Sequence, residues 1–144
     1  MKIVKTQKAP SAVGPYSQAV ISGGFVFVSG QIPLGLDGKL NTGDIKEQTK
    51  QVMENLGAIL QEAGSGFEKV VKTTIYLADI NDFSAVNEVY GSYFVGEYLP
   101  VRATVGVAAL PKGAKVEVEC VGEVGRVKYK NKSTGSIFGF FWEQ

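Results

Sequence analysis

The stretch PVRATVGVAALPKGAKVEVEC, residues 100–120, sets one arginine and two glutamates inside runs otherwise rich in valine and alanine. An ion in a half-buried strand gives up water when the surface around it closes, a cost that pairing, solvation or use has to offset. Arg102 and Glu117 are therefore the first candidates for chemistry. A guanidinium presents a planar donor fork that grips a carboxylate through two parallel hydrogen bonds. A carboxylate whose pKa, about 4.3 in the reference state, is raised by burial can aim a water molecule and accept its proton. The structural alternative is an ion pair or a strand face open to solvent.

The chain has no histidine. That removes Ser-His-Asp and Cys-His catalysis, imidazole proton shuttling and the usual zinc sites, because each relies on imidazole near neutral pH. Acid-base work then falls to carboxylate, tyrosine, lysine, cysteine or water. Neither a GxxxxGK[ST] loop nor a GxGxxG turn occurs, so nothing supports a nucleotide cofactor. The single cysteine, Cys120, rules out an intrachain disulfide and a cysteine-based zinc cluster, which fits a reducing compartment.

Period-two alternation puts Arg102, Thr104 and Gly106 on one face of their strand and Val101, Ala103, Val105 and Val107 on the other. In the next strand Glu117 and Glu119 share a face with Val121, while Val116, Val118 and Cys120 point the opposite way. Cys120 is thus expected in the core, and Glu119 as a solvated or salt-bridged side chain. Alternation sets the face of each residue within its strand and not the register between the two strands.

The elements that must position these residues alternate along the chain. KIVKT reads as a short strand. YSQAVIS and FVFVS flank Gly23-Gly24, a connection suited to a tight hairpin, and Asp37-Gly38 marks a further turn. From Asp44 the period changes: Ile45, Thr49, Val52, Met53, Leu56, Ile59, Leu60 and Ala63 fall on one helical stripe. Asp44 and Glu47 are spaced as a capping box, and Gly64 is placed as a stop. KVVKTTIYLAD is a strand rich in β-branched residues. Asn81 or Asp82 caps a second helix carrying Phe83, Val86, Tyr90 and Tyr93 or Phe94, expected to end near Gly96. The order, roughly ββ(β)αβαββ, predicts an α+β fold: a mixed sheet with two helices packed on one face. Two helices cover only one face of such a sheet, yet FVFVS and TTIYL offer apolar side chains to both. Burial is worth about 25 cal/mol per Å², so the uncovered face predicts a homo-oligomer.

At 144 residues, 44% hydrophobic and 20% charged, the composition is that of an ordinary soluble single domain. No signal-peptide core or membrane-length run occurs, so the cytoplasm is the expected compartment and no membrane partner is expected. Residues 126–144 carry four basic residues against one acidic, leaving eleven against thirteen in 1–125. A faintly acidic body argues against a nucleic-acid grip made through phosphates.

GPYSQAV (14–20), SGQIP (29–33), VKTTIYLADINDFSAVNEVY (71–90) and PVRATVGVAALPKGAKVEVE (100–119) together resemble the successive signatures of the RidA family, the YjgF-type enamine/imine deaminases. Each motif alone is weak; four in order over residues 1–124 are specific. The resemblance implies a chorismate-mutase-like fold, a homotrimer with clefts between neighbouring subunits, and no metal or organic cofactor. It also implies hydrolysis of small 2-imino acids, in exchange with enamines such as 2-aminoacrylate, to 2-oxo acids and ammonia. The substrates it implies are 2-iminopropanoate and 2-iminobutanoate.

Carried over by position, the resemblance makes Arg102 the anchor of the substrate carboxylate and Glu117 the residue that activates water. It assigns Tyr16, Ser29, Gly30, Asn87 and Thr104 to substrate binding. Thr104 departs from the cysteine of some members, which matters only if that position acts through its side chain. Read without the family, Tyr16 is a packing anchor, Gly30 a bend at a strand end, and Asn87 a partner for a backbone group. Some members are described as single-strand RNA endonucleases or translation inhibitors, and others as non-catalytic binders of small carboxylates, so these are the competing expectations. Beyond the resemblance, 125–144 is either an appended extension or an addition that packs on a neighbouring subunit.

Overall fold

The structure, a computed structural model, describes the backbone of residues 1–130 and 137–142 and the side chains of residues 1–125. Its main sheet has six strands in the order β1-β2-β3-β6-β4-β5. These are β1 (Lys2–Val4), β2 (Ala19–Ser22), β3 (Phe25–Gln31), β4 (Val70–Leu77), β5 (Val101–Gly106) and β6 (Val116–Glu123). All neighbours are antiparallel except β4 and β5, which run parallel. Two helices, α1 (Ile45–Glu62) and α2 (Phe83–Gly91), supply the second layer. The strands β7 (Arg126–Lys130) and β8 (Ile137–Trp142) form a separate antiparallel pair.

The hairpin at Gly23-Gly24 forms because both residues take positive φ (+60° and +84°), the backbone of a turn whose twist matches its strands. Strand β2 is shorter than YSQAVIS. Gln18 instead turns inward, where its Oε1 accepts from the Thr6 N–H at 2.7 Å and its Nε2 donates to the Pro10 carbonyl at 2.9 Å. In α1 the Asp44 carboxylate accepts from the Glu47 N–H at 2.9 Å, and Gly64 follows the last turn with φ +82°.

The second helix begins where expected, with Asp82 at its N-cap, and ends early. The side-chain capping bond belongs to the preceding 3-10 turn over Ile80–Asp82, where Asp79 accepts from the Asn81 N–H at 2.9 Å. Asp82 makes no side-chain capping bond. The helix stops at Gly91, well before Gly96, where the Ser92 hydroxyl takes the Val89 carbonyl at 2.6 Å and competes with continued helix.

The core lies between the helices and one sheet face, where Val26, Val28, Ile75, Leu77, Val116, Val118 and Cys120 meet Val52, Met53, Leu56, Ile59, Leu60, Val86 and Tyr90. Alternation in β6 leaves Glu117, Glu119 and Val121 half-buried on the opposite face. Among the described residues that face carries no helix, and on it Phe27 is 46%, Val101 67% and Val105 41% exposed.

Two buried polar residues of α1 hold the loops that frame this open face. Gln48 accepts from the Lys115 N–H at 3.0 Å, fixing the entry to β6, while Asn55 donates to the Leu34 carbonyl at 2.9 Å. Each satisfies backbone that would otherwise be buried without a partner.

Candidate functional site

Strand register settles what alternation left open. On β4, Thr73 lies opposite both Arg102 and Cys120, whereas Tyr76 lies opposite both Val105 and Glu117. Directly paired residues share a face. Arg102 therefore projects on the helix side of the sheet and Glu117 on the open side. The predicted site residues fall into two groups within one chain.

The first group surrounds Glu117. A cleft of about 840 Å³ is lined by Tyr16, Ser29, Gly30, Glu117 and Glu119, with the 34–38 loop and Pro111-Lys112 as walls. The β3–β6 register shifts between Val28 and Gln31, so Ser29 and Gly30 sit in a bulge. Bulges re-aim side chains beside functional sites. Here the irregularity brings the Gly30 backbone under the Glu117 carboxyl: a Cβ at residue 30 would lie 2.7 Å from Glu117 Oε2. Glycine lets the carboxyl rest that close to the backbone; a methyl there would displace it.

Ser29 is tied back, its hydroxyl donating to the Ser17 carbonyl and its N–H to the Gln18 carbonyl at 2.9 Å. Tyr16 follows Gly14-Pro15, where the φ of +126° at Gly14 turns the chain, and the residue is 54% exposed where it lines the cleft. Burial, and then the charge of neighbouring Glu119, push the Glu117 carboxyl above its ordinary range. Among the described residues Glu117 has no hydrogen-bond or ion-pair partner. A half-buried carboxyl with raised proton affinity and free oxygens has the properties of a general base.

The second group surrounds Arg102 on β5, at the sheet edge. Its Nη1 donates to Asn87 Oδ1 at 2.6 Å, and its guanidinium carbon stands 5.5 Å from the Phe83 ring centroid and 5.2 Å from that of Tyr90. Tyr90 is held in turn by a 2.7 Å hydrogen bond between its hydroxyl and Thr73 Oγ1. Residues 83, 87 and 90 lie one and two turns apart on α2, so one helix face cradles the cation. One guanidinium nitrogen is used by Asn87 and the rest of the fork is available to an anion. Thr104, on the same strand face, has its hydroxyl buried without a partner among the described residues.

Sequence reasoning placed Phe83 and Tyr90 on an apolar helix face and missed their contact with Arg102; their i, i+7 spacing around Asn87 was the available signal. It also missed Lys112, Asp37 and Pro111 as cleft walls. The expectation for Glu119 needs correction. This side chain is half-buried, and its Oε1 accepts from the Tyr76 hydroxyl at 2.8 Å. Cys120 is buried as expected, and burial pushes its thiol up to about 12, which leaves no reactive thiolate near neutral pH.

Among the described residues no three His, Cys, Asp or Glu side chains cluster as metal ligands, and no helix is long and apolar enough to cross a membrane.

The family model described as Endoribonuclease L-PSP matches residues 6–124. The rat protein named 2-iminobutanoate/2-iminopropanoate deaminase is 52% identical over 127 residues, covering 86% of this chain and 90% of the rat protein. A Synechocystis protein named as a RutC family member is also 52% identical, over 84% of this chain and 95% of its own length. Among solved structures, Escherichia coli TdcF with bound serine superposes with a TM-score of 0.81 at 41% identity, covering 85% of this chain and 98% of TdcF. With these motifs in order, a mixed α+β sheet of this topology and relatives at half identity over nearly their full lengths, the chain belongs to the Endoribonuclease L-PSP family, also known as the YjgF/RidA family.

Proposed function

We infer that this protein is a hydrolytic deaminase of small 2-imino acids, with each site assembled from two copies of the chain. One copy supplies Arg102, Asn87 and Thr104; its neighbour supplies Tyr16, Ser29, Gly30 and Glu117. The observation that carries this reading is the division just described: a carboxylate-binding half and a water-activating half on opposite faces of one sheet. Between them Val101 and Val105 expose an apolar strand face suited to association. A head-to-tail interface that closes, as in the homotrimer and chorismate-mutase-like assembly the family resemblance implies, joins unlike surfaces and so joins unlike half-sites.

In this reading the Arg102 fork takes the substrate carboxylate while Asn87 and the two rings fix its plane. Glu117 orients a water against the C=N carbon and accepts its proton as the C–O bond forms. The resulting carbinolamine carries one oxygen and one nitrogen on that carbon. Glu117 returns that proton to nitrogen, then takes the hydroxyl proton as the C=O bond forms and delivers it to the same nitrogen as the C–N bond breaks, and ammonia and the 2-oxo acid leave. The balance is one water consumed per imine, with no redox change and no cofactor. Thr104 gains a partner for its hydroxyl, and Tyr16 closes the mouth through its phenol. The names of mammalian relatives and the amino acid bound in the E. coli neighbour support a substrate of this size and charge. We read residues 1–124 as the catalytic domain and 125–144 as an extension to it.

The family description also names an endoribonuclease. Among the described residues, an RNA backbone entering the Glu117 cleft would meet Asp37, Glu117 and Glu119 against Lys112, an arrangement that repels phosphate. A binder without catalysis would hold 2-oxo acids and release no ammonia. Ammonia release from freshly generated 2-iminobutanoate by the wild type, lost in Arg102→Ala, supports deamination. RNA cleavage that falls steeply with salt and survives Arg102→Ala supports the nuclease instead.

A further inference from the structure

The open face carries a second carboxylate that this mechanism leaves idle. Glu117 and Glu119 lie two residues apart on one face of β6, line the same cleft, and are treated differently by their surroundings. Tyr76 stands directly across from Glu117 on β4, yet its hydroxyl reaches diagonally to Glu119 Oε1 at 2.8 Å. That contact pushes the Tyr76 hydroxyl above its ordinary range, as donation to an anion does. Glu117 receives no such donor.

We propose that Glu119, anchored by Tyr76, is a positioning residue for Glu117: the hydrogen bond holds its carboxyl group in place on the shared strand face and leaves Glu117 as the carboxyl that exchanges protons with the substrate water.

Paired carboxylates in one site divide their roles when their environments differ, one held charged by donors and the other left free to take up a proton. The other groups facing Glu117 do not perform this division. Strand β3 presents Ser29 and Gly30, which do not titrate in this range; Tyr16, Asp37 and Lys112 come from loops at the cleft wall. Lys115 precedes Glu117 by two residues on β6's own approach, and Lys72 lies further along β4 beside Glu119. Glu119 combines a hydrogen bond from Tyr76 with a place next to Glu117 on its own strand face, while Glu123 lies six residues further along that face.

The inference rests on Glu117 as the base, and its test separates the two ideas. In full-length protein labelled with carboxyl-13C glutamate, the Glu117 resonance is assigned by its loss in Glu117→Gln and titrated without substrate. In Glu119→Gln its midpoint should move to lower pH, because a neighbouring anion has gone. The acid limb of kcat for 2-iminopropanoate should move with it, so that activity relative to wild type rises as pH falls. Tyr76→Phe, which keeps the ring but frees Glu119 to turn into solvent, should give a smaller movement in the same direction. This second variant also covers a failure of Glu119→Gln to fold. A Glu117 midpoint unmoved in either folded variant overturns the proposal. A midpoint that moves while the acid limb stays fixed leaves the coupling standing and removes Glu117 from the base role.

Discussion

Arg102 and Glu117 project from opposite faces of one sheet, with β4 between their strands and the pairs Thr73–Arg102 and Tyr76–Glu117 fixing the parity. An arginine on an edge strand, cradled by α2, and a carboxyl over a glycine bulge serve one substrate only if the edge of one copy meets the cleft of another. In the proposed function, association is then part of the catalytic geometry.

Arg102→Ala should lower kcat/KM for 2-iminobutanoate by about 100-fold or more, equivalent to about 2.7 kcal/mol of transition-state stabilisation, with the oligomeric mass unchanged by light scattering. Arg102→Lys should recover little, because an ammonium cannot reproduce the fork that Asn87 and the two rings hold in plane. Full activity in either variant would remove Arg102 from the site.

Glu117→Gln should lose about 10²–10⁴-fold in kcat, the range of general acid-base assistance, while still binding 2-oxobutanoate. Its stability should show the opposite sign. The folded chain holds the Glu117 proton to higher pH than the unfolded chain does. That contribution is fully present below the unfolded carboxyl pKa and is lost as pH rises through the folded one. Urea titrations should therefore find Glu117→Gln more stable than wild type at neutral and alkaline pH, with the difference fading below about pH 4. An advantage that grew on acidification would contradict the raised proton affinity.

Gly30→Ala tests the bulge. The new methyl would lie 2.7 Å from Glu117 Oε2 and 3.0 Å from Cδ. Those atoms end a flexible side chain, so the fold should survive while the carboxyl is displaced. We expect circular dichroism and melting close to wild type with kcat reduced up to about 10²-fold, the cost of displacing a catalytic group by about an ångström. Unchanged kcat would mean that the carboxyl position over Gly30 has no part in turnover.

Much of this arrangement was legible in the chain because it rests on local rules. The α1 stripe, the Gly23-Gly24 hairpin and the burial of Val116, Val118 and Cys120 follow from period and turn chemistry. The N-cap of α2 at Asp82 was legible, but the 3-10 turn before it, where Asp79 makes the side-chain bond that Asp82 does not, is a tertiary outcome. Register was invisible for a similar reason: the pairing of β6 with both β3 and β4 joins strands about forty or more residues apart, and only the assembled sheet shows which residues of β5 and β6 share a face. The Tyr76–Glu119 contact, made across strands on a diagonal, leaves no mark in either strand's own alternation.

Gln48→Ala should show how the scaffold supports the cleft. It leaves the Lys115 N–H without its partner at the start of β6 and removes a donor from the Gly43 carbonyl. The loss should cost about 1–3 kcal/mol in urea unfolding and lower activity through a looser entry to Glu117. Stability equal to wild type would mean that water replaces the amide at no cost.

The shared site is tested most directly by mixing defects. Arg102→Ala and Glu117→Gln chains, each inactive alone, are co-expressed in equal amounts and purified as hybrids by two different tags. If each site joins Arg102 of one copy to Glu117 of its neighbour, every mixed trimer of the proposed assembly restores both groups at one of its three sites, and imine hydrolysis by the purified hybrids returns to about a third of wild type. Hybrids of confirmed mixed composition with no activity above either parent would contradict a site built between copies.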